Sequence, residues 1–373
     1  MKVQVLQENL SEALSFCSRF AGSRIQLPVL ANILLKTNKN KLLVASTNLE
    51  ISVSISIGAK VTKEGEITVP ARTITDVVSN LGAGQINIEV DKELVKVTTN
   101  DFESSISGMN SADFPVIPHE LGLNSLQLPS KDFTKALSNV LFAVSNDETR
   151  PVLTGVLTIF KSNEITLVAT DGFRLSQKKL QLKGDKEEKR VILPKNALSE
   201  LSRLSGAEDS IAFSFKKNEN QVLLGVGNST LATRVIEGEF PDFERIIPKE
   251  TKIKVFVDKE ELLRAVKLAS VFARDAGNVV KVFIREDSIE LSAESQTSGS
   301  QKTKVEAKVE TDILKKGTDF VIAFNYRFLE EFLNTVGGEE VQLELSDPNA
   351  PALFLDPKDT NFLHIIMPVR LQA

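Results

Sequence analysis

The chemistry open to this chain is limited first by its two histidines and its single cysteine. His119 lies in a polar stretch and His364 in the last apolar segment, and neither has a carboxylate or a cysteine at metal-ligand or acid–base spacing. Cys17 lies on the apolar face of a helical pattern, which predicts a buried, unreactive thiol, and one cysteine excludes an internal disulfide. The sequence therefore predicts no metal site.

The glycine motifs that bind nucleotides are incomplete in this chain. The Gly-x-Gly runs at 82–84 and 225–227 lack the third glycine of a dinucleotide-binding fingerprint, and the sequence has no Gly-Lys-Ser or Gly-Lys-Thr run. Asp171 before Gly172 suggests a catalytic aspartate, but a turn after a strand explains the pair equally well. The sequence predicts no catalytic residue and no cofactor. A three-domain hydrolase or carbohydrate-processing enzyme is the alternative, and a cleft with paired carboxylates would favour it.

The elements that must position any site recur three times along the 373 residues. Each copy begins with a short alternating strand and an amphipathic helix, in which Ala13, Ala136 and Ala265 hold equivalent positions. Helices are predicted at residues 8–20, 71–81, 131–144, 195–204, 260–273 and 325–336, with strands between them. This order predicts an α+β fold of three similar domains, at residues 1–120, 121–250 and 251–373, with helices segregated from antiparallel sheets.

Composition is that of an ordinary globular protein, with 42% hydrophobic and 25% charged residues. The net charge of −5 argues against a nucleic-acid binder, unless the positive charges are gathered on an inner surface. No apolar run approaches the roughly 18 residues of a membrane span, and Met1-Lys2-Val3 leads into a strand pattern rather than a signal-peptide core. These features predict a cytoplasmic protein that does not enter a membrane.

Several short motifs together resemble one protein family. Residues 169–175 read Ala-Thr-Asp-Gly-Phe-Arg-Leu, and the likeness extends to Leu27-Pro28-Val29-Leu30, Val69-Pro70-Ala71-Arg72, Arg150-Pro151-Val152-Leu153-Thr154-Gly155, Phe240-Pro241-Asp242-Phe243 and Met367-Pro368-Val369-Arg370-Leu371. Over its whole length the chain resembles the bacterial DNA polymerase III β subunit, the replicative sliding clamp. Phe173 stands where the family usually has histidine, which makes the implied site more apolar.

The resemblance implies a head-to-tail homodimer closed into a ring, with helices around the hole and sheets outside. Three similar units and a two-fold axis agree with six units in a ring. Double-stranded DNA would pass through the hole without being read, held by contacts to its phosphates. The resemblance implies Arg24 as a DNA contact, and further candidates are Arg72, Lys131, Lys135, Arg150, Lys195, Arg203, Arg264 and Lys267. For these further candidates, a solvated helix face is the alternative.

The resemblance also implies a pocket for peptides, formed between the second and third domains. By matching positions, the pocket residues are Leu153, Thr170, Gly172, Phe173, Arg174, Leu175, Pro241, Arg245, Ile246, Asn325, Phe328, Ile366, Met367, Pro368, Val369, Arg370 and Leu371. Apolar side chains with an adaptable methionine suit short extended peptides. The implied partners are the replicative polymerase α subunit, the clamp-loader δ subunit and other proteins with clamp-binding peptides. For Leu175, Ile246 and Met367, an ordinary core position is the alternative.

The resemblance finally implies how the ring closes. The strand at 101–107 should meet the third domain of the partner subunit, with Ile106 against Val271 and Phe272. Asp101 and Glu103 would then face Lys302 and Lys304, the reverse of the polarity in the best-known relatives. The hypothesis is an attraction of reversed polarity, which would prevent pairing with subunits of the usual polarity. The alternative is solvated rim charges, worth at most about 1 kcal/mol per pair.

Overall fold

The computed structural model describes residues 1–22, 27–122, 125–182, 188–216, 220–311 and 319–371. Within these residues the α-helices are α1 Gln7–Cys17, α2 Ala71–Ser79, α3 Ser130–Leu141, α4 Lys195–Leu204, α5 Lys259–Ala273 and α6 Tyr326–Thr335. Every predicted helix is present. Three end at least two residues earlier than predicted, because their last residues form 3-10 rather than α-helical hydrogen bonds. These are Ser18–Phe20 after α1, residues 80–81 after α2, where Asn80 N–H donates to Val77 O, and residues 143–144 after α3, where Ala143 N–H donates to Val140 O.

The strands follow in chain order between the helices. The first ten are β1 Lys2–Leu6, β2 Asn32–Asn38, β3 Lys41–Thr47, β4 Ile51–Gly58, β5 Lys60–Lys63, β6 Glu66–Pro70, β7 Gln85–Asp91, β8 Leu94–Thr98, β9 Glu103–Ser107 and β10 Leu126–Pro129. The next seven are β11 Gly155–Phe160, β12 Glu164–Thr170, β13 Arg174–Gln181, β14 Lys189–Pro194, β15 Ser210–Lys216, β16 Gln221–Val226 and β17 Ser229–Arg234. The last eight are β18 Ile253–Asp258, β19 Val279–Ile284, β20 Ser288–Ser295, β21 Gly299–Thr311, β22 Phe320–Asn325, β23 Glu340–Leu345, β24 Ala352–Leu355 and β25 Phe362–Ile366.

One compact unit comprises residues 1–131 and 196–235. Its five-stranded sheet has the order β5-β1-β7-β8-β9, and its eight-stranded sheet has the order β10-β15-β16-β17-β4-β3-β2-β6. The eight-stranded sheet joins strands of the first and second sequence repeats, because β17 pairs antiparallel with β4, with Leu231 opposite Val53. Alternate residues of β7, Ile86 and Ile88, are fully buried, as expected for a sheet with one covered face.

The other compact unit comprises residues 132–195 and 236–373. Its twelve strands form one sheet of the order β14-β11-β12-β13-β25-β24-β23-β18-β21-β20-β19-β22. The second and third repeats meet inside this sheet, where β13 pairs with β25 and Leu175 lies opposite Ile365. Phe332 of α6 packs edge-on against Phe354 with ring centroids 5.5 Å apart. Such an aromatic pair contributes about 0.5–1.5 kcal/mol beyond its area burial.

The same tight turn recurs in the two units, after β3 and after β12. In both turns the threonine hydroxyl accepts the N–H two residues ahead: Thr47 from Leu49 and Thr170 from Gly172, each at 3.0 Å. An Asx side chain then accepts the next two N–H groups of each turn. The third residue has positive φ, +77° at Leu49 and +92° at Gly172. None of the helices described above is long and apolar enough to span a membrane.

Candidate functional site

The turn between β12 and β13 forms the centre of the candidate site. Thr170 is buried, and its hydroxyl donates to the carbonyl oxygen of Arg174 at 2.5 Å. One carboxylate oxygen of Asp171 accepts the N–H groups of Phe173 and Arg174 at 2.9 and 3.0 Å. Gly172 occupies the left-handed region that glycine tolerates without cost. The turn therefore has a fixed backbone, and the ring of Phe173 leaves it 61% exposed to solvent.

Arg174 ties this turn to two helical segments. Its guanidinium donates to Asp171 Oδ2 at 3.0 Å, to the carbonyl oxygen of Phe142 at 2.7 Å and to the carboxylate of Glu331. The same guanidinium lies over the rings of Phe328 and Phe142, at 4.5 and 5.4 Å from their centroids. Only 8% of Arg174 is exposed. Because its charge is paired with carboxylates and its guanidinium lies over aromatic rings, Arg174 holds the turn in place from beneath the site.

The end of the chain forms a second wall of the site. Met367 N–H donates to the carbonyl oxygen of Phe173 at 2.8 Å, and Val369 N–H donates to that of Ala323 at 2.8 Å. The first bond continues the β13–β25 pairing beyond the last strand, and the second joins the segment to β22. Residues 367–369 are half-buried. Arg370 and Leu371 are exposed. A short extended segment is thereby fixed beside the exposed Phe173 ring.

Several predicted pocket residues lie beneath the site rather than on its surface. Leu153 and Leu175 are 5% and 2% exposed and belong to an apolar cluster with Phe240 and Phe243. Ile366 is fully buried at the end of β25, where His364 and Ile365 are buried as well. The hydroxyl of Thr170 is consumed by the turn. Leu153, Thr170, Leu175 and Ile366 are therefore buried beneath the site, and their part in a pocket stays a prediction.

The remaining predicted pocket residues keep accessible surface. Ile246 is 36% exposed, Pro241 is exposed, and Arg245 donates to Asp242 at 2.7 Å while 84% of its side chain remains accessible. Asn325 caps α6, its side-chain oxygen accepting Arg327 N–H at 3.0 Å, and Phe328 is half-buried under the Arg174 guanidinium. Contacts connect Arg174 with Phe328, and Phe173 with Met367.

Three residues of the site were missed by the sequence reasoning. Asp171 was interpreted only as part of a turn, yet it also pairs with Arg174. The carbonyl oxygen of Phe142 and the carboxylate of Glu331 accept hydrogen bonds from the same guanidinium, although both residues lie far from Arg174 in the sequence. A partial signal existed for Glu331, since it lies one helical turn after Phe328 on α6 and both face Arg174. No local pattern marks Phe142.

Most candidate DNA-binding cations lie on helices and reach solvent. Arg72 is 95% exposed at the start of α2, and Lys131 and Lys135 on α3 and Arg264 and Lys267 on α5 are also exposed. Arg203 is 62% exposed and pairs with Glu200 at 2.5 Å. Lys195 donates to Asn146 Oδ1 at 3.1 Å, and Arg150 lies beside the Asp171 turn rather than on a helix. Arg24 lies outside the described residues.

Comparison with known proteins decides the family. Three family models match in succession: DNA polymerase III beta subunit, N-terminal domain at residues 1–118, central domain at 127–242 and C-terminal domain at 244–370. The chain belongs to the DNA polymerase III beta subunit family. It is 32% identical to the beta sliding clamp of Staphylococcus aureus and 31% identical to that of Staphylococcus epidermidis, over 358 residues and 93% of each chain. The crystal structure of the DNA polymerase sliding clamp from Bacillus subtilis superposes with a TM-score of 0.93, at 26% identity and covering all of both chains.

Two strand edges of the chain bear on the predicted dimer interface. In the part of the chain that the structure describes, β9 pairs only with β8, which leaves its other edge open. Residues 299–306 of β21 pair with β20, whereas residues 307–311 pair with β18. The first half of β21 therefore presents a second open edge. Such edges are templates for pairing with another chain.

The side chains near these edges modify the predicted dimer interface. Ile106 is already 6% exposed within its own sheet, so it has little surface left for the predicted contact with Val271 and Phe272. Val271 is 54% exposed and Phe272 half-buried. The predicted interface charges are Asp101, Glu103, Lys302 and Lys304. Glu103 pairs with Lys96 at 2.8 Å and Lys304 with Asp287 at 3.8 Å, while Lys302 and Asp101 are exposed.

Proposed function

We propose that this chain is the subunit of a bacterial replicative sliding clamp, a processivity factor that encloses duplex DNA and tethers the polymerase. The succession of three beta-subunit domain matches, covering nearly all of residues 1–370, carries this proposal. It is supported by relatives whose names are beta sliding clamp. The clamp itself performs no catalysis, uses no cofactor and works in the cytoplasm.

Enclosure requires a closed ring, and two copies of the chain supply it. The three domains, at residues 1–120, 121–250 and 251–373, pair head to tail with those of a second copy. The open edge of β9 in one subunit then adds to the open first half of β21 in its partner. Backbone pairing at both junctions completes the hydrogen bonds of these edges. The ring is a C2 dimer with two identical interfaces.

DNA is held loosely inside this ring by phosphate contacts. The exposed helix cations, of which Arg72 and Lys135 are examples, bind phosphates through charge and read no base edges. Because such contacts are equivalent at every base pair, the ring slides along the duplex. Retention therefore depends on topology rather than on affinity.

The handle for the polymerase is the site formed by the Asp171 turn and the chain end. Backbone hydrogen bonds, including that from Met367 N–H to Phe173 O at 2.8 Å, fix the segments that form the site. A peptide therefore binds without the entropic cost of ordering these segments. Exposed Ile246 and Leu371 supply further apolar surface. Peptides of the polymerase α subunit, the clamp-loader δ subunit and other clamp-binding proteins are the proposed ligands.

Topological retention is the decisive experiment. The protein is loaded by its clamp loader on a nicked circular plasmid and passed through a gel-filtration column before and after the plasmid is linearised. We expect co-elution with the circle and loss from the linear form. Equal retention on both forms would contradict enclosure. Arg24→Ala should reduce loading and leave the dimer intact, because it removes a phosphate partner, whereas Arg190→Ala serves as an exposed-arginine control.

A further inference from the structure

The first repeat contains the same apolar cluster that underlies the candidate site of the second repeat. In the first repeat the cluster joins one residue of the 3-10 turn Pro28–Ala31, one of β3 and two of the segment that follows β9. These residues and their second-repeat equivalents are Val29 and Val152, Ala45 and Val168, Phe114 and Phe240, and Ile117 and Phe243. Because the turn after β3 also repeats the hydrogen bonds of the Asp171 turn, the framework of the site is present twice.

The side chains around the first-repeat cluster differ from those of the second repeat. Two charged residues and a glycine are replaced by large apolar residues: Arg150 by Leu27, Asp242 by Val116 and Gly172 by Leu49. The three replacements, called here the first-repeat patch, are 47%, 96% and 42% exposed in that order. Single exposed leucines are ordinary on a protein surface, whereas several around one buried cluster mark a binding site.

Two of the segments that carry the first-repeat patch lie side by side. Leu27 directly precedes the 3-10 turn, and Leu49 directly follows Asn48 in the turn after β3. A Cβ built on Gly22 would lie 3.5 Å from Leu30 Cβ and 3.8 Å from Asn48 Cα. The two turns therefore border the same point of the structure.

The neighbours of Val116 bring it to the same place. Phe114 and Ile117 are buried in one cluster with Val29, which lies two residues after Leu27. Val116 is thus held between two buried residues, with its own side chain in solvent. A ligand binds such a surface without the entropic cost of ordering it.

The backbone of Leu49 supports a role for its side chain. Its φ of +77° is a conformation that leucine rarely adopts, and the second repeat has glycine at this position. Strained residues of this kind concentrate at binding sites, where the surrounding structure holds them. The leucine side chain is therefore the feature that the first repeat gains at this position.

We infer that the first-repeat patch is a second docking site, which takes a short peptide with two neighbouring large apolar side chains and requires no charged group. The charged residues that flank the second-repeat site, Arg150 and Asp242, have no charged equivalents here. A second copy of the chain is a poorer occupant, because a stable interface buries about 800 Å² per partner, more than three side chains supply. The inference goes beyond the proposed function, since it adds a partner site to the first repeat of the clamp.

Methyl NMR spectra of the full-length protein, labelled at its leucine and valine methyl groups, test the inference directly. The probe is the acetylated, amidated peptide Ser-Gly-Leu-Leu-Gly-Ser, and the control peptide has serine in place of both leucines. We expect saturable shifts of the Leu27, Leu49 and Val116 signals, with a Kd for the probe at least about tenfold lower than for the control peptide. Absence of saturable shifts at these residues with up to about 5 mM probe would overturn the inference. Shifts that depend on protein concentration without any peptide would assign the patch to a second copy and would also overturn it.

Two variants assign the binding to the patch. Leu49→Asn removes the apolar side chain but keeps a residue that tolerates positive φ, and Val116→Asp introduces the second-repeat residue at an exposed position. Each should raise the Kd of the probe by about fivefold or more, measured at the remaining patch signals. Leu94→Asn changes a similarly exposed leucine of the same compact unit and should leave this Kd unchanged. An equal rise in Kd for Leu94→Asn and Leu49→Asn would contradict the assignment.

Met367→Ala separates the first-repeat patch from the second-repeat site. It should leave the shifts of the patch unchanged, because Met367 belongs to the other compact unit. Loss of those shifts in Met367→Ala would mean that the probe responds to the second-repeat site, and the inference would be wrong. Retention on circular DNA without binding of the probe would reject the inference and leave the proposed clamp function in place.

Discussion

Leu49 adopts a left-handed backbone conformation, and at the equivalent position of the second repeat the residue in this conformation is Gly172. The two turns share their hydrogen bonds, yet φ is +77° at Leu49 and +92° at Gly172. A leucine in the left-handed region brings its Cβ close to a carbonyl oxygen, at a cost of about 1 kcal/mol. The hydrogen bonds of Thr47 and Asn48 hold the turn in this conformation.

Replacing Leu49 with glycine should therefore stabilise the protein. We expect Leu49→Gly to raise the free energy of unfolding by up to about 0.5 kcal/mol, because relief of the strain is partly offset by the larger conformational entropy of glycine in the unfolded chain. Urea denaturation at fixed protein concentration measures the change. Leu94→Gly is the control, because Leu94 is 48% exposed in strand β8 and has no positive φ. That variant should lower the same free energy. A loss of stability in Leu49→Gly equal to that in Leu94→Gly would show that the leucine side chain outweighs the strain.

His364 is buried as a neutral residue. Its ring stacks on Phe332 at 5.3 Å, and its Nδ1 lies 2.7 Å from Ser176 Oγ. Burial and the nearby Arg174 charge lower the pKa of His364 from 6.5 to about 3. The unfolded chain takes up a proton below about pH 6.5 that the folded chain does not accept. Stability attributable to this residue is therefore present above pH 6.5 and is lost as pH falls toward 3.

The predicted slope approaches about 1.4 kcal/mol per pH unit once pH lies well below 6.5. Urea unfolding at pH 5.5 and 4.5 measures it directly. His364→Gln should be less stable at both values but should lose this pH-dependent component. His119→Gln, which changes an exposed histidine, should keep the wild-type slope. An unchanged slope in His364→Gln would mean that other groups cause the pH dependence.

The local chemistry of the turn could be predicted from sequence, whereas its partners could not. Asp171 followed by Gly172 indicates a turn because each residue stabilises it through its own backbone. The partners of Arg174, Phe142 and Glu331, lie 32 and 157 positions away. Only the fold brings them together, so no local pattern announces them.

At the scale of elements, the three residues after β25 decide whether the site exists. Residues 367–369 belong to no strand, but two of them continue the backbone pairing to Phe173 and Ala323. Periodicity predicted the strand before them and the helices around them, since those follow from local burial patterns. Periodicity could not distinguish a buried residue beneath the site from a residue on its surface. Leu175 and Met367 are equally apolar and differ only in what covers them.

Met367→Ala should weaken peptide binding without disturbing the ring. Truncation removes half-buried apolar surface but keeps the backbone N–H that donates to Phe173, so we expect about a tenfold rise in Kd for a clamp-binding peptide of the polymerase α subunit. Isothermal titration calorimetry measures the change. Met109→Ala, a 41% exposed methionine of the other compact unit, is the control and should leave Kd unchanged. Unchanged affinity in Met367→Ala would remove this residue from the site; deletion of 367–373 should abolish binding.

At the scale of the whole molecule, closure of the ring would bring the charged strand edge of one subunit against that of its partner. Glu103 already has a partner, Lys96 at 2.8 Å, so its charge is partly neutralised before any second subunit arrives. Lys302 is exposed on the open half of β21. The reversed polarity predicted from sequence therefore depends chiefly on Lys302 meeting an acidic edge.

Charge exchange tests that polarity. Glu103→Lys and Lys302→Glu should each weaken the dimer by up to about fivefold, and the double variant should regain most of the loss, as measured by analytical ultracentrifugation. Lys96→Ala should not weaken the dimer, because it leaves Glu103 free to pair across the interface. The reversed pairing is wrong if the double variant regains none of the affinity.

The pairing of β17 with β4, and of β13 with β25, has a consequence for how such a chain can be divided. Each seam places strands of successive repeats in one sheet, and the second repeat contributes to both compact units. The segment that recurs in sequence is therefore not the segment that is stable alone. In an excised fragment of residues 121–250, β17 would lose its neighbour β4 and β13 would lose its neighbour β25. Both strands would then have an unpaired edge. The unit that repeats in the sequence and the unit that folds cooperatively therefore have different bounds. A single repeat expressed by itself should associate through those edges rather than persist as a monomer.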